Sequence, residues 1–495
     1  MNGVVRSQRR VDEIPGLLRE LHRRGGRMQM AYAWQPEADR TEIRYLAGAG
    51  ADEPFSMWCV DASSGSPPSF APESPLLGWY EREISDLFGI EFSGHPEPKR
   101  LVLHEGAIAA APPMRADYPI GRELEIVGHA TGIPEIRGPD VQRLPWGPVR
   151  ADVVESGEFV FYYIGEHILH LYTQLFFKHR GMEARFTGLT SLAGVVLAER
   201  VSAVGSFSHA LAFCQAVEDA SACIVPARAR MLRVLLAEME RLYNHLHYLG
   251  VLAETTTLKV GAAEGKLLEE RAKQLNSRLT GSRFLQNAVM PGGMRRDLDP
   301  ETWLGEELER LREEVAKYVA LLGQTNSYRD RLMGTGPLPH RIAFDQGATG
   351  PVKRASGINR DLRRDHDYAG YAHLPLTVPT KTEGDAQARE QIRIAEIDAS
   401  FVLMQRVLLL LEAGEIRASC SPPANSEGLG WAENPRGSLF YAVHFDGNGK
   451  LKRVKIKSPS FSNWRVFPFT VHDGNMMDYA INEASFGLTI AGCDR

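Results

Sequence analysis

The chain contains no C-x-x-C pair. Its five cysteines, Cys59, Cys214, Cys223, Cys420 and Cys493, stand far apart. That removes the usual ligand spacing for zinc or an iron–sulfur cluster, and the sparse, odd count argues against a disulfide framework. Buried thiols acting as small hydrophobes are expected instead. No apolar run approaches the roughly 18–20 residues of a membrane span. The opening Met1-Asn-Gly-Val-Val-Arg-Ser-Gln-Arg-Arg10 has charge but no apolar stretch behind it, so no secretory signal is expected. A basic excess is missing too: 57 Lys and Arg against 62 Asp and Glu leave a net charge of −5, which gives no electrostatic case for nucleic acid. No G-x-G-x-x-G follows a strand-like run, so a dinucleotide site is not visible. Internal repeats are absent.

What is present is an ordinary globular balance, with 43% apolar and 24% charged residues over 495 positions. Such a length supplies a large core and more than one domain. A polar helix over 11–24 stops at Gly25-Gly26, followed by strand-like runs at 28–34, 41–46 and 57–60 and an amphipathic helix over 79–88 ending at Gly89. Residues 1–119 therefore read as a small α+β domain. The stretch 120–147, rich in Pro, Gly and charge, reads as a linker. Residues 148–495 read as a larger, mainly helical domain with peripheral strands, among them a pair near 158–164 and 169–175. Its clearest helix starts at Pro226 and carries an apolar stripe from Leu232 to Leu249, with Gly250 as the expected C-terminal cap. Further helices are expected over 266–279, 301–322 and 385–413, and strands over 438–457. The fold class is α+β.

Several strings carry a family resemblance. Glu81-Arg-Glu-Ile-Ser-Asp-Leu-Phe-Gly-Ile-Glu-Phe-Ser-Gly-His-Pro96, followed by Lys99-Arg-Leu101, is similar to the 30-kDa subunit of respiratory complex I. Phe177-Lys-His-Arg-Gly-Met-Glu183, Glu240-Arg-Leu-Tyr-Asn-His245, Ser327-Tyr-Arg-Asp-Arg-Leu-Met-Gly-Thr-Gly336 and Pro459-Ser-Phe-Ser-Asn-Trp464 resemble the 49-kDa subunit. More closely they resemble the fused large subunit of formate hydrogenlyase. The resemblance reaches to the large subunits of nickel–iron hydrogenases, which hold their metal on two cysteine loops. Where that family reads R-x-C-G-x-C, this chain has Arg200, Ser202, Ala203 and Gly205. Where it closes with D-P-C-x-x-C-x-D-R, this chain has Gly487, Leu488, Thr489, Gly492, Asp494 and Arg495.

Nickel needs soft, deprotonated sulfur. Ser202, Gly205, Thr489 and Gly492 stand at the thiolate positions, and Cys493 is one residue out of register. The resemblance therefore implies a cavity walled by these four residues and Arg354, with no metal site. Glu183 matches the family's proton-relaying glutamate, and a partly desolvated carboxyl can have a raised pKa. The competing reading is an ion pair with Arg180 or Arg185. His209 is the second catalytic candidate, against a packing role. Arg354, Asp361 and Arg364 read either as a charged cluster at the cavity or as a buried salt-bridge network. The quinone-binding His and Tyr of complex I align with Arg150 and Ala203, so quinone remains a candidate acceptor only in a changed pocket.

Three functions follow from the resemblance. The first is an electron-transfer subunit taking electrons from an iron–sulfur small subunit and passing them to a quinone-like or unfamiliar acceptor. The second is a structural subunit joining a peripheral arm to a membrane module. The third is a hydrogenase with atypical ligands. The first two imply membrane antiporter-like and quinone-module-like partners and a cytoplasmic location, peripheral on the inner face of the membrane. No cofactor held firmly by this chain itself is expected.

Overall fold

The computed structural model describes residues 3–37, 39–51, 53–63, 65–104, 107–108, 112–116, 118, 125–126, 133, 135–150, 155–301 and 303–495. The expected boundary at Pro119 and much of the 120–147 linker lie outside these residues. The chain divides into two compact units: residues 1–180 with 345–347 and 494, and the remainder from Gly181 onward.

In the first unit, β1 (Val5–Arg9), β2 (Arg27–Glu37), β3 (Arg40–Gly48) and β4 (Ser56–Asp61) form one sheet in the order β1-β4-β3-β2. β1 runs parallel to β4 and the other neighbours are antiparallel. β1 is not legible in the sequence, because Val-Arg-Ser-Gln-Arg is polar on both faces and lies exposed at the sheet edge. Helices α1 (Ile14–Arg23) and α2 (Leu77–Phe88) pack on β2. α2 stops at Gly89, whose φ of 71° is the left-handed cap its sequence position implies. A second, antiparallel sheet joins Gln142–Trp146, Glu158–Ile164 and His167–Gln174. Its first strand comes from the end of the stretch read as linker.

The second unit is built of helices around a three-stranded sheet. α3 (Met182–Arg185) and α4 (Ser191–Ala198) lead to α5 (Ser206–Ala220), followed by α6 (Ala227–Thr255), α7 (Lys259–Thr280) and α8 (Leu304–Gln324). The helix Ala386–Leu410 packs on α6, and the strands Glu427–Asn434, Gly437–Phe445 and Leu451–Lys457 form a sheet against α5. α5 is buried on almost every side, which is why its sequence shows no clean apolar stripe.

α6 does not end at Gly250 as expected but continues to Thr255. The glycine serves packing. A Cβ on Gly265 of α7 would lie 2.6 Å from the Gly250 Cα and 2.8 Å from the Tyr318 hydroxyl of α8. Two missing side chains thus let α6 and α7 cross at close range. No disulfide joins the cysteines; four are buried and Cys420 is half-buried. No helix among the described residues is long and apolar enough to cross a membrane.

Candidate functional site

The loop around Ser202 and the loop around Thr489 meet in the second unit. Ser202 precedes the short turn Ala203–Gly205 from which α5 starts. Thr489 caps the closing helix Ile490–Asp494, its Oγ1 accepting the Gly492 amide at 3.3 Å. A Cβ on Gly492 would lie 2.6 Å from Thr489 Oγ1 and 3.5 Å from both Ser202 Oγ and Ser460 Oγ. Ser202, Thr489 and Gly492 are therefore neighbours. The helix Pro459–Val466 adds two hydroxyls: Ser460 Oγ lies 3.2 Å from Thr489 Oγ1, and Ser458 Oγ donates to the Gly492 carbonyl.

Gly205 is filled from another direction. A Cβ there would lie 2.4 Å from Asn434 Nδ2. Asn434 sits at the hairpin tip between Glu427–Asn434 and Gly437–Phe445, where the Arg436 amide donates to its Oδ1 at 2.9 Å. The Arg436 guanidinium reaches the Gly487 carbonyl at 2.6 Å and Asn244 Oδ1 at 2.7 Å, and Asn244 Nδ2 donates to the Val204 carbonyl at 2.8 Å. One hairpin tip thus ties the first loop to the second by neutral and charge-assisted hydrogen bonds. Sequence reasoning missed Asn434 and Arg436. Asn-Pro-Arg-Gly reads as a turn, and nothing in it says which loops the turn will touch.

Glu183 lies buried in α3. Its carboxylate takes Arg453 Nη1 at 2.7 Å, Lys455 Nζ at 3.2 Å and Arg495 Nη1 at 3.9 Å, and it accepts the Ile456 amide at 3.1 Å. The carboxylate is therefore ion-paired with Arg453, Lys455 and Arg495, where the sequence pointed to Arg180 or Arg185. The raised pKa expected of a relay is overturned. Burial pushes the carboxyl up, but the charges of Lys455, Arg453 and Arg495 outweigh it and hold the group well below the usual carboxylate range.

His209 is buried, with Nδ1 2.8 Å from the Tyr441 hydroxyl. Burial, then the negative charge of Glu183, pushes that phenol well above its ordinary range. Tyr441 thus stands between the two catalytic candidates. Its strand partner is Ile456, whose amide binds Glu183.

Arg354 is seated in a different cluster. Its guanidinium bonds Glu396 at 3.1 Å, Glu433 at 2.9 Å and Asp361 at 3.1 Å. Arg363 continues the network to Asp361 at 2.8 Å and Glu238 at 3.2 Å, and His245 meets Glu396 at 2.9 Å. Burial pushes the His245 imidazole down to about 4, against the raising pull of Glu396. The salt-bridge reading fits Arg354 and Asp361, whereas Arg364 is half-exposed and pairs with Asp365. In the first unit, the Arg150 guanidinium lies 4.7 Å over both the Trp146 and Phe159 rings. Ala203 is exposed and brings no hydroxyl.

A nickel–iron centre does not fit this donor set. Two positions offer hydroxyls and two are glycines, one of them filled by an amide. Among the described residues no group of three or more His, Cys, Asp or Glu could hold a metal ion.

Comparison with known proteins places this frame. Residues 267–424 and 418–495 match the family described as respiratory-chain NADH dehydrogenase, 49 Kd subunit, and residues 13–123 match the 30 Kd subunit. Formate hydrogenlyase subunit 5 of Escherichia coli (strain K12) is 31% identical over 427 residues, spanning 85% of this chain and 75% of that protein. The chain belongs to the complex I 49-kDa and formate hydrogenlyase large-subunit family. NADH-quinone oxidoreductase subunit 4 of Thermus thermophilus, 31% identical over 366 residues, spans 67% of this chain and 88% of its own length. In fold the chain is similar to one in the membrane-bound sulfane sulfur reductase, an archaeal respiratory membrane complex. The TM-score is 0.68 at 24% identity, over 72% of this chain and 99% of that one. The string Glu81–Pro96 that carries the 30-kDa likeness lines a hollow of about 530 Å3 together with Lys99 and Arg100.

Proposed function

We propose that this chain is the electron-transfer subunit of a membrane-associated, complex I-like oxidoreductase, and that it works without a nickel–iron centre. The observation that supports the reading is that Ser202, Ser460 and Thr489 lie together beside Gly492 and that the Asn434 amide packs on Gly205, at the positions where the resemblance would put nickel ligands. An iron–sulfur partner would deliver electrons to the two loops, and further subunits would anchor the assembly to the membrane. His209 and Tyr441, hydrogen-bonded at 2.8 Å, are the donors on this chain suited to a quinone-like acceptor. The experiment is metal analysis of the purified complex with electron flow measured beside it. Nickel well below one atom per subunit is expected, together with flow that a quinone analogue inhibits and that Tyr441→Phe slows. Stoichiometric nickel would sink the reading.

A second reading, a structural subunit with no acceptor of its own, is favoured by Glu183. Tied to three cations, it is poorly suited to relay a proton. Electron flow unchanged in both Tyr441→Phe and His209→Ala would select it.

A further inference from the structure

Glu183 and Glu240 are buried carboxyls with opposite kinds of neighbour; a third, Glu199 at the start of the first loop, accepts the Asn287 amide at 2.7 Å and lies 3.6 Å from Arg200. Glu183 meets three cations. Glu240, on α6, meets neutral donors: the amides of Phe207 at 2.7 Å and Ser208 at 3.0 Å, and the Ser208 hydroxyl. Those amides belong to the first turn of α5, whose N-cap residue, Gly205, has no side chain to cap it. Glu240 therefore closes the open end of α5 from a neighbouring helix, directly behind the first loop.

Its side chain is fully buried. Arg241, the nearest cation in sequence, is committed to Glu238, Glu396 and the Glu433 carbonyl and acts on Glu240 only at a distance. Tyr243 on the same helix feels the Glu240 charge, and His209 on α5 is engaged by Tyr441. Burial lifts the Glu240 carboxyl to about 7, against the lowering pull of Ser208 and the two amides.

We propose that Glu240, and not Glu183, is the carboxyl that takes up a proton when negative charge reaches the first loop. This deepens the electron-transfer reading and rests on it, since charge arrives at the loop only with electrons. A unit charge at short range in a poorly solvated site favours the neutral form of a nearby carboxylate. The step is a proton added to the Glu240 carboxylate to give the carboxylic acid. The electron stays on the acceptor, and the reductant is the iron–sulfur partner. Linkage adds a second consequence. The closed state binds this proton more tightly than an opened one, so opening of the α5 start becomes easier as pH rises through about 7.

The test uses the purified complex, with infrared difference spectra recorded on reduction by dithionite in H2O and D2O. A deuterium-sensitive carboxylic acid band should appear in the wild type and in Glu183→Gln and vanish in Glu240→Gln. A band surviving in Glu240→Gln, no band in a wild type that does become reduced, or loss only in Glu183→Gln would overturn the proposal. A wild type that accepts no electrons would instead sink the electron-transfer reading. Hydrogen exchange at Phe207 and Ser208 keeps the proposal testable if Glu240→Gln fails to assemble. Wild-type protection should fall between about pH 6 and about pH 8 beyond the intrinsic exchange rate. Equal protection at both pH values would overturn it.

Discussion

At Glu183 the sign of the local charge decides the chemistry. Removing its charge takes away the carboxylate that Arg453, Lys455 and Arg495 share. Glu183→Gln should therefore cost about 3–5 kcal/mol, the scale for breaking a buried pair, read as a lower urea midpoint at pH 7. An unchanged midpoint would show that the cations find other partners. The carboxyl sits below its ordinary value in the folded state, so its stabilisation is present above the unfolded carboxylate range and is lost as pH falls through and below that range. The difference between wild type and Glu183→Gln should accordingly shrink in acid. Arg354 offers a parallel case without the functional question, since Glu396, Glu433 and Asp361 all depend on it.

Among the elements, the hairpin tip Asn434–Gly437 packs against Gly205, where a Cβ would lie 2.4 Å from Asn434 Nδ2. It ties the loop before α5 to the loop after Phe486. Asn434→Ala should leave the global unfolding midpoint nearly unchanged while raising hydrogen exchange at residues 203–206. Exchange there as slow as in the wild type would remove Asn434 from the brace. Gly205→Cys should be tolerated far better together with Asn434→Gly than alone, because the new Cβ would otherwise lie 2.4 Å from the Asn434 amide. At the α6–α7 crossing, Gly265→Ala should cost about 1–3 kcal/mol by overpacking, measured by denaturant unfolding. A neutral substitution would mean the helices can part there freely.

For the whole molecule, buried carboxyls set two opposing pH limits. Burial lifts Glu81, Glu240 and Glu390 each to about 7. A raised carboxyl contributes stability that is full below its unfolded value and lost as pH rises through its folded one. Asp361 and Glu396 move the other way: burial pushes them up, but Arg363 and Arg354 outweigh it, so their stabilisation is lost as pH falls below the unfolded carboxylate range. Thermal stability should therefore peak on the mildly acidic side of neutrality and decline through pH 7, a trend calorimetry can follow. A Tm flat from about pH 5 to about pH 8 would mean that these raised carboxyls reach water in solution.

By itself the sequence determined the elements whose signals are local: the α2 stop at Gly89, the long helix from Pro226, the strand at Glu158–Ile164 and the family strings from Glu81 to Arg495. It also determined that positions 202, 205, 489 and 492 carry no cysteine, because an absent side chain needs no fold to be read. Tertiary structure alone decided what occupies the vacated positions. Asn434 and Ser460 reach the loops from more than 200 residues and from about 30 residues away in sequence, and no spacing rule connects them. It decided as well which carboxyl meets cations and which meets neutral donors. In the sequence Glu183 reads as a relay carboxyl or an ion pair, and Glu240 only as part of a family string. Their difference lies in three cations that one face of the Leu451–Lys457 strand and the last residue bring to the first, and two helix-start amides that α5 brings to the second. Charge and hydrogen-bond donors act through space, over a few ångströms, and only the folded chain sets those distances.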